Sequence, residues 1–436
     1  MKASKKKTRF FPLLLCLLLS VLLLTSCDYD LPFAPEAPDT DASDGGQNQP
    51  GEDDTPSATT EVITNNITIT GESADIVYAT AKGLRSAVSV YCNFSVTTGG
   101  NSFWNPYPVT QTYYQTGSGV LYRCEEDGSA FVITNFHVVY NAASDNESNI
   151  SESIYLYLYG MESEKYAIPA VYVGGSSAYD IAVLRVDANA VLRTALAAGS
   201  AAAVTVSDAE SVLPGEKVIA IGNPSTTGLS GISVTKGIIS VESEYITMSS
   251  IDGTGEDTFR VMRTDTPINS GNSGGGMYNA RGELVGIVNA KITNSKIENI
   301  GYAIPVSVAC GVADNLIDNC YGKDNTALHR AALGITLTET ALTTVYDPAT
   351  GLLTRREEIA IQTVATDSVA EDCLRVNDVL RSITLKGKTV KIRHAYNYLD
   401  TMLWAREGDT VTLTVLRDGA EVTVNITLTA DCFGES

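Results

Sequence analysis

The sequence predicts a mainly β protein of more than one domain. Its 436 residues exceed one ordinary domain and suffice for two or three. Short apolar runs rich in β-branched and aromatic residues recur between turn signals from about residue 75 to 305. Examples are Ala87-Val88-Ser89-Val90-Tyr91, Ile154-Tyr155-Leu156-Tyr157-Leu158-Tyr159, Lys217-Val218-Ile219-Ala220-Ile221 and Leu284-Val285-Gly286-Ile287-Val288. A second strand-rich unit follows from about residue 332. There Val411, Leu413 and Val415 alternate as one face of a half-buried strand, and Asp418-Gly419 supplies a hairpin turn. The strand pattern by itself leaves a barrel and a sandwich equally open.

The first 61 residues read differently. Residues 1–9 hold five basic side chains, and residues 10–24 form an almost unbroken apolar run. A basic start, a short apolar core and small residues before a break describe a secretory signal peptide. The run is short of the roughly 20 residues that span a bilayer. Leu24-Thr25-Ser26-Cys27 resembles a bacterial lipobox, which implies cleavage before Cys27 and lipidation of its thiol; an uncleaved signal anchor is the alternative. Residues 28–61 contain ten acidic side chains and no basic one, with Pro, Gly, Ser, Thr and Gln between them. Such a stretch buries too little apolar area to offset its ordering entropy, so residues 27–72 are expected to form an extended acidic linker. The formal net charge of −21 argues against a nucleic-acid partner.

Three motifs carry chemistry. In Gly271-Asn272-Ser273-Gly274-Gly275 a serine sits in a glycine-dense turn able to aim backbone N–H groups at one point. In Phe131-Val132-Ile133-Thr134-Asn135-Phe136-His137 a buried strand runs into a turn that carries one of only three histidines. In Tyr179-Asp180-Ile181-Ala182-Val183-Leu184 an aspartate opens another apolar strand. His, Asp, Ser is one of the known chain orders of a serine-nucleophile triad. Ser273 is the expected nucleophile, His137 its base and Asp180 the group that orients the imidazole. The N–H groups of Gly271 and Ser273 are the expected oxyanion hole. His329 and His394 lack this strand-to-turn context.

Together these segments resemble the HtrA/DegP branch of chymotrypsin-like serine proteases, with its Thr-Asn-x-His-Val-Val, Asp-Ile-Ala-Val-Leu and Gly-Asn-Ser-Gly-Gly strings. The resemblance implies two β-barrels with a cleft between them, over residues 73–308. It implies an S1 pocket lined by Ile268 and by Asn289-Ala290-Lys291-Ile292, in which Ile268 and Ile292 favour a small apolar P1 residue and Lys291 is anomalous. Ser270 and Gly276 depart from the usual pattern and are expected to loosen the loop. Residues 309–331 read as a helix, from Val306 to Cys320, and a linker. Residues 332–433 resemble a PDZ domain (α+β), with Leu333-Gly334-Ile335 as the carboxylate-binding loop and His394 to Leu403 as the helix beside the peptide groove.

Eight cysteines occur. Apart from Cys16 and Cys27 they are Cys92, Cys124, Cys310, Cys320, Cys373 and Cys432, without the Cys-x-x-Cys spacing of a zinc site, and neither metal nor other cofactor is expected. An exported location permits Cys92–Cys124 and Cys373–Cys432 disulfides; six free thiols are the alternative. Cys310 and Cys320, about 15 Å apart on a helix, do not reach each other.

The expected function is that of an extracytoplasmic, membrane-tethered serine endopeptidase acting on misfolded exported proteins. Peptide C-termini would bind the PDZ unit, and family members are commonly homotrimers. The alternatives are an inactive PDZ-containing scaffold and a processing protease with one substrate.

Overall fold

The structure, a computed structural model, describes residues 62–435 apart from 65–66, 70–71, 100–106, 208–211, 225–230 and 291–299. All of these fall in one compact unit, Ser57–Ser436. The signal peptide, Cys27 and most of the acidic linker lie outside the described residues. Among the described residues no helix is long and apolar enough to cross a membrane.

The described chain starts with two short antiparallel strands, β1 (Val62–Thr64) and β2 (Ile67–Ile69), and helix α1 (Glu72–Leu84). The hairpin lies within residues 27–72, so the expected linker does not run unstructured to its end.

Six strands then close a first barrel: β3 (Ala87–Thr98), β4 (Val109–Cys124), β5 (Ala130–Thr134), β6 (Ser153–Leu158), β7 (Ile168–Ser176) and β8 (Ile181–Val186), in the order β3-β4-β5-β8-β7-β6. Inward residues such as Val88, Val90, Leu121, Val132, Leu156 and Leu184 fill it. Helices α2 (Phe136–Val139) and α3 (Ala190–Ala197) interrupt the strands, and the Asn189 side chain caps α3 by accepting from Val191 and Leu192 N–H. A second barrel closes in the order β10-β11-β14-β13-β12-β9, from β9 (Lys217–Gly222), β10 (Ser233–Ser249), β11 (Glu256–Thr264), β12 (Gly276–Asn279), β13 (Leu284–Val288) and β14 (Gly301–Pro305). Two closed barrels replace the open choice between barrel and sandwich. Closure also removes the sheet edges.

The barrels meet along a shared core of Ile133, Ile181 and Val183 from the first and Ile219, Ile221, Tyr278 and Ile287 from the second. Helix α4 (Val306–Cys320) seals this seam. Val312, Ala313 and Leu316 are fully buried in it, so the segment expected to be partly linker is integral to the core.

The C-terminal region has its own core, around Ile361, Ile383, Val411, Leu413 and Val415. Strand β15 (His329–Ala331) leads into β16 (Ile335–Asp347), β17 (Leu352–Val364), β18 (Val379–Leu385) and β19 (Lys388–Lys391). Helix α5 (Ala395–Met402), then β20 (Thr410–Arg417), β21 (Ala420–Thr427) and β22 (Phe433–Glu435) complete it. The sheet order is β16-β17-β18-β20-β21, with β19 on β18 and β15 paired to β22. Asp418 and Gly419 have φ of +51° and +82°, as a type I′ turn between β20 and β21 requires. The region is joined to the barrels through α5. Asp400 accepts hydrogen bonds from Arg260 of β11 and from the Ser307 hydroxyl (2.6 Å) of α4, and the Arg260 guanidinium lies 4.3 Å from the Tyr396 ring centre.

All six described cysteines are free thiols. The Cys92–Cys124 pairing fails on register: Cys92 stands opposite Gln115, and Cys124 lies at the far end of the same strand. Cys373 and Cys432 share a core without bonding.

Candidate active site

The folding of β5, β8 and the loop after β11 brings His137, Asp180 and Ser273 to the junction of the barrels. Strand β5 ends at Thr134, and the chain turns at Asn135 into the single helical turn α2, which presents His137. Asp180 sits just before β8 with φ of +49°, a left-handed conformation that aspartate tolerates better than most residues. Its carboxylate is 1% exposed. Asp180 Oδ2 lies 2.7 Å from His137 Nδ1, and Oδ1 accepts the His137 backbone N–H at 2.9 Å. Burying a carboxylate is costly unless donors such as these meet its oxygens. A third comes from Asn289, whose Nδ2 donates to Oδ2 at 2.7 Å. Asn135 Nδ2 donates to the Asp180 carbonyl at 2.8 Å, so the residue before α2 ties the histidine turn to the aspartate. Gln115 Nε2 holds the His137 carbonyl from β4.

Ser273 is 5% exposed. Its hydroxyl accepts from the Ala290 N–H at 3.2 Å and forms no hydrogen bond with His137. Resting serine hydrolases often show this pair loosely aligned. Asn269 O accepts from Asn272 N–H at 3.0 Å, closing a turn whose third residue, Gly271, has φ of +92°. That makes it a type II turn; a type I turn would reverse the Ser270–Gly271 peptide. An added Cβ at Gly271 would stand 2.2 Å from Asn223 O, so only glycine fits. Among the described residues, the N–H groups of Gly271 and Ser273 donate to no protein acceptor, which leaves both available to a ligand oxygen.

The remaining expected residues divide. Ile268 packs half-buried on the second barrel's core beside Gly301, while Ile292 and Lys291 lie outside the described residues. Asn289, expected in the pocket wall, gives its side-chain amide to Asp180. Gly276 does not loosen the loop: it opens β12, paired to Ile221 and Ile287, and its missing Cβ makes room for the Tyr278 ring 2.5 Å away. Leu333 is buried, Gly334 has φ of +76° with its carbonyl bonded to Ala365 N–H (2.7 Å), and Ile335 begins edge strand β16. A cavity of 980 Å³ between the second barrel, α4 and α5 touches none of the triad, so its size says nothing about where this chemistry sits.

Sequence reasoning did not single out Asn135 or Asn289 for these roles. Asn135 and Asn289 each follow directly on an apolar strand and are buried, and an asparagine at such a strand end is a visible signal of an internal hydrogen bond.

Comparison with known proteins agrees with this geometry. Residues 117–287 match the trypsin-like peptidase domain family. The chain is 33% identical over 320 residues to the serine protease Do-like HtrA of Bacillus subtilis and 34% identical over 321 residues to HtrB of the same organism. Each match covers 72% of this chain but only 63% and 62% of the relative's length. It is also 29% identical to the serine endoprotease DegS of Escherichia coli, over 72% of this chain and 76% of DegS. A His-Asp pair and a glycine-bound serine at the meeting of two closed barrels, with these similarities, place the chain in the HtrA-like family of trypsin-like serine proteases.

Proposed function

We propose that this protein is an extracytoplasmic serine endopeptidase, held at the membrane by a lipid on Cys27, that cleaves misfolded exported polypeptides. The observation that carries the reading is the buried Asp180 carboxylate, which binds both the backbone N–H and the Nδ1 of His137. With Asp180 accepting from Nδ1–H, the lone pair of Nε2 is left to act as base. In the proposed reaction Ser273 Oγ attacks the scissile carbonyl while its proton passes to His137 Nε2. The oxyanion of the tetrahedral intermediate takes hydrogen bonds from Gly271 and Ser273 N–H. His137 then protonates the leaving amine, and water hydrolyses the acyl-enzyme by the same route.

The edge strand β16, the loop at Leu333 to Ile335 and helix α5 support reading residues 332–433 as a PDZ domain that captures a peptide C-terminus by adding it to the sheet. Ile268 beside Gly301 supports a small apolar P1 side chain. Assembly as a homotrimer follows by likeness to the family.

The Ser273 hydroxyl, turned to Ala290 N–H, favours a second reading in which the protein works mainly as a binding scaffold. Cleavage of an unfolded protein such as casein separates the two. The protease reading predicts turnover by wild type, with or without added C-terminal peptides, and none by Ser273→Ala. Equal, background rates for both under every condition would establish the scaffold.

A further inference from the structure

The loop that carries Ser273 is held by one residue that belongs to neither that loop nor the triad. Ser118 lies on β4 of the first barrel and is 1% exposed. All four of its polar functions are engaged. Its hydroxyl donates to the Gly271 carbonyl at 2.7 Å and accepts the Asn223 N–H at 2.8 Å. Its N–H donates to the Ser273 carbonyl at 2.8 Å. Its carbonyl accepts from the Thr134 hydroxyl at 2.7 Å, at the end of the strand that leads to His137. One side chain and its peptide groups thus touch both barrels, the nucleophile loop and the root of the histidine turn.

The placement of these bonds is informative. The two proposed oxyanion donors belong to the Ser270–Gly271 and Asn272–Ser273 peptides. The Ser118 hydroxyl grips the Gly271–Asn272 peptide between them, and the Ser118 N–H grips the Ser273–Gly274 peptide just beyond. A glycine at 271 has access to both hands of backbone conformation, so its turn type is not fixed by its own sterics. The hydrogen bond to its carbonyl holds the Gly271–Asn272 peptide, and with it the backbone on which both donors ride.

We propose that Ser118 is a positioning residue: its hydroxyl locks the Gly271 turn in the form that presents two N–H donors to the oxyanion. This rests on the serine-protease reading above. Removing the hydroxyl takes the side-chain donor away from the buried Gly271 carbonyl. The peptide that links the two donors is then free to turn, which draws them out of line with the oxyanion of the transition state and leaves ground-state binding of the substrate unchanged.

The test uses the full chain as Ser118→Ala, and as Ser118→Cys, which keeps the shape with a weaker donor. Active sites are counted by endpoint labelling with a fluorophosphonate, and kcat and KM are measured on fluorescein-labelled casein per labelled site. Per-site kcat and the rate of labelling should fall together by about tenfold to a hundredfold in Ser118→Ala, less than the roughly 10²–10³ lost with an oxyanion donor itself. Ser118→Cys should fall between it and wild type, and KM should stay within twofold. Per-site kcat equal to wild type, whether or not the number of labelled sites falls, would overturn the proposal and reduce Ser118 to a structural strut. So would a rise in KM at constant kcat. Failure of the protease reading has a different signature: wild type itself would neither label nor cleave.

Discussion

Replacing Asn289 by alanine isolates the support of the buried aspartate. Asp180 Oδ2 has two donors, His137 Nδ1 and Asn289 Nδ2, each at 2.7 Å, and with the carboxylate 1% exposed no bulk water can stand in for a lost one. A hydrogen bond to a charged group is worth about 1.5–3 kcal/mol. At ~1.4 kcal/mol per factor of ten, losing it in the transition state would lower kcat by roughly 10- to 100-fold. KM should hold, because the Asn289 amide is engaged with Asp180. The assay is steady-state cleavage of casein, with active sites counted by fluorophosphonate. Asn289→Asp should be worse than Asn289→Ala, since it sets a second carboxylate against the first. A kcat within twofold of wild type in Asn289→Ala would refute the reasoning, as would an Asn289→Asp enzyme as active as Asn289→Ala.

Further expectations concern packing and thiols. Gly276→Ala places a Cβ 2.5 Å from the Tyr278 ring, whose hydroxyl is bonded to Ser86 (2.9 Å), and overpacking of this kind should cost about 1–3 kcal/mol, read as a lower urea midpoint at unchanged slope. Asp400→Ala strips the 7%-exposed Arg260 of its carboxylate partner and should destabilise by about 3–5 kcal/mol, with the junction of barrels and C-terminal region the first to lose hydrogen-exchange protection. Burial pushes the thiols of Cys92 and Cys310 up to about 12, so neither should react with iodoacetamide at pH 8 in the native protein, while both should do so in denaturant. Mass spectrometry of the alkylated peptides checks this, and disulfide-linked peptides among Cys92, Cys124, Cys373 and Cys432 would contradict it.

The sequence made the triad legible because its chemistry is local. A histidine after Phe131 to Thr134, an aspartate before Ile181 and a serine among glycines each announce themselves within a few residues, and so does the helix from Val306 to Cys320. What the sequence hides is what depends on contacts between distant segments. Strand alternation cannot say that β3 closes onto β6 or β10 onto β9, because closure depends on long-range register. Nor can it say that Asn289 reaches Asp180, or that Ser118 reaches Gly271 across the barrel seam. The Gly276 expectation failed for the same reason: the residue that makes that glycine necessary, Tyr278, acts through its ring rather than through the loop. The Cys92–Cys124 pairing failed on register, which compartment and cysteine count do not encode, and the free-thiol alternative is the one the structure shows.

The central claim is that Ser273 is a nucleophile activated by His137. Mass-spectrometric mapping of fluorophosphonate labelling on the full chain, with casein or C-terminal peptides added as activators, tests it directly. A single phosphonyl group on Ser273 in wild type is the predicted result, with none in Ser273→Ala and at least a hundredfold slower labelling in His137→Ala, of the order triad losses produce. An unlabelled Ser273 under every condition, or labelling that does not depend on His137, would contradict it.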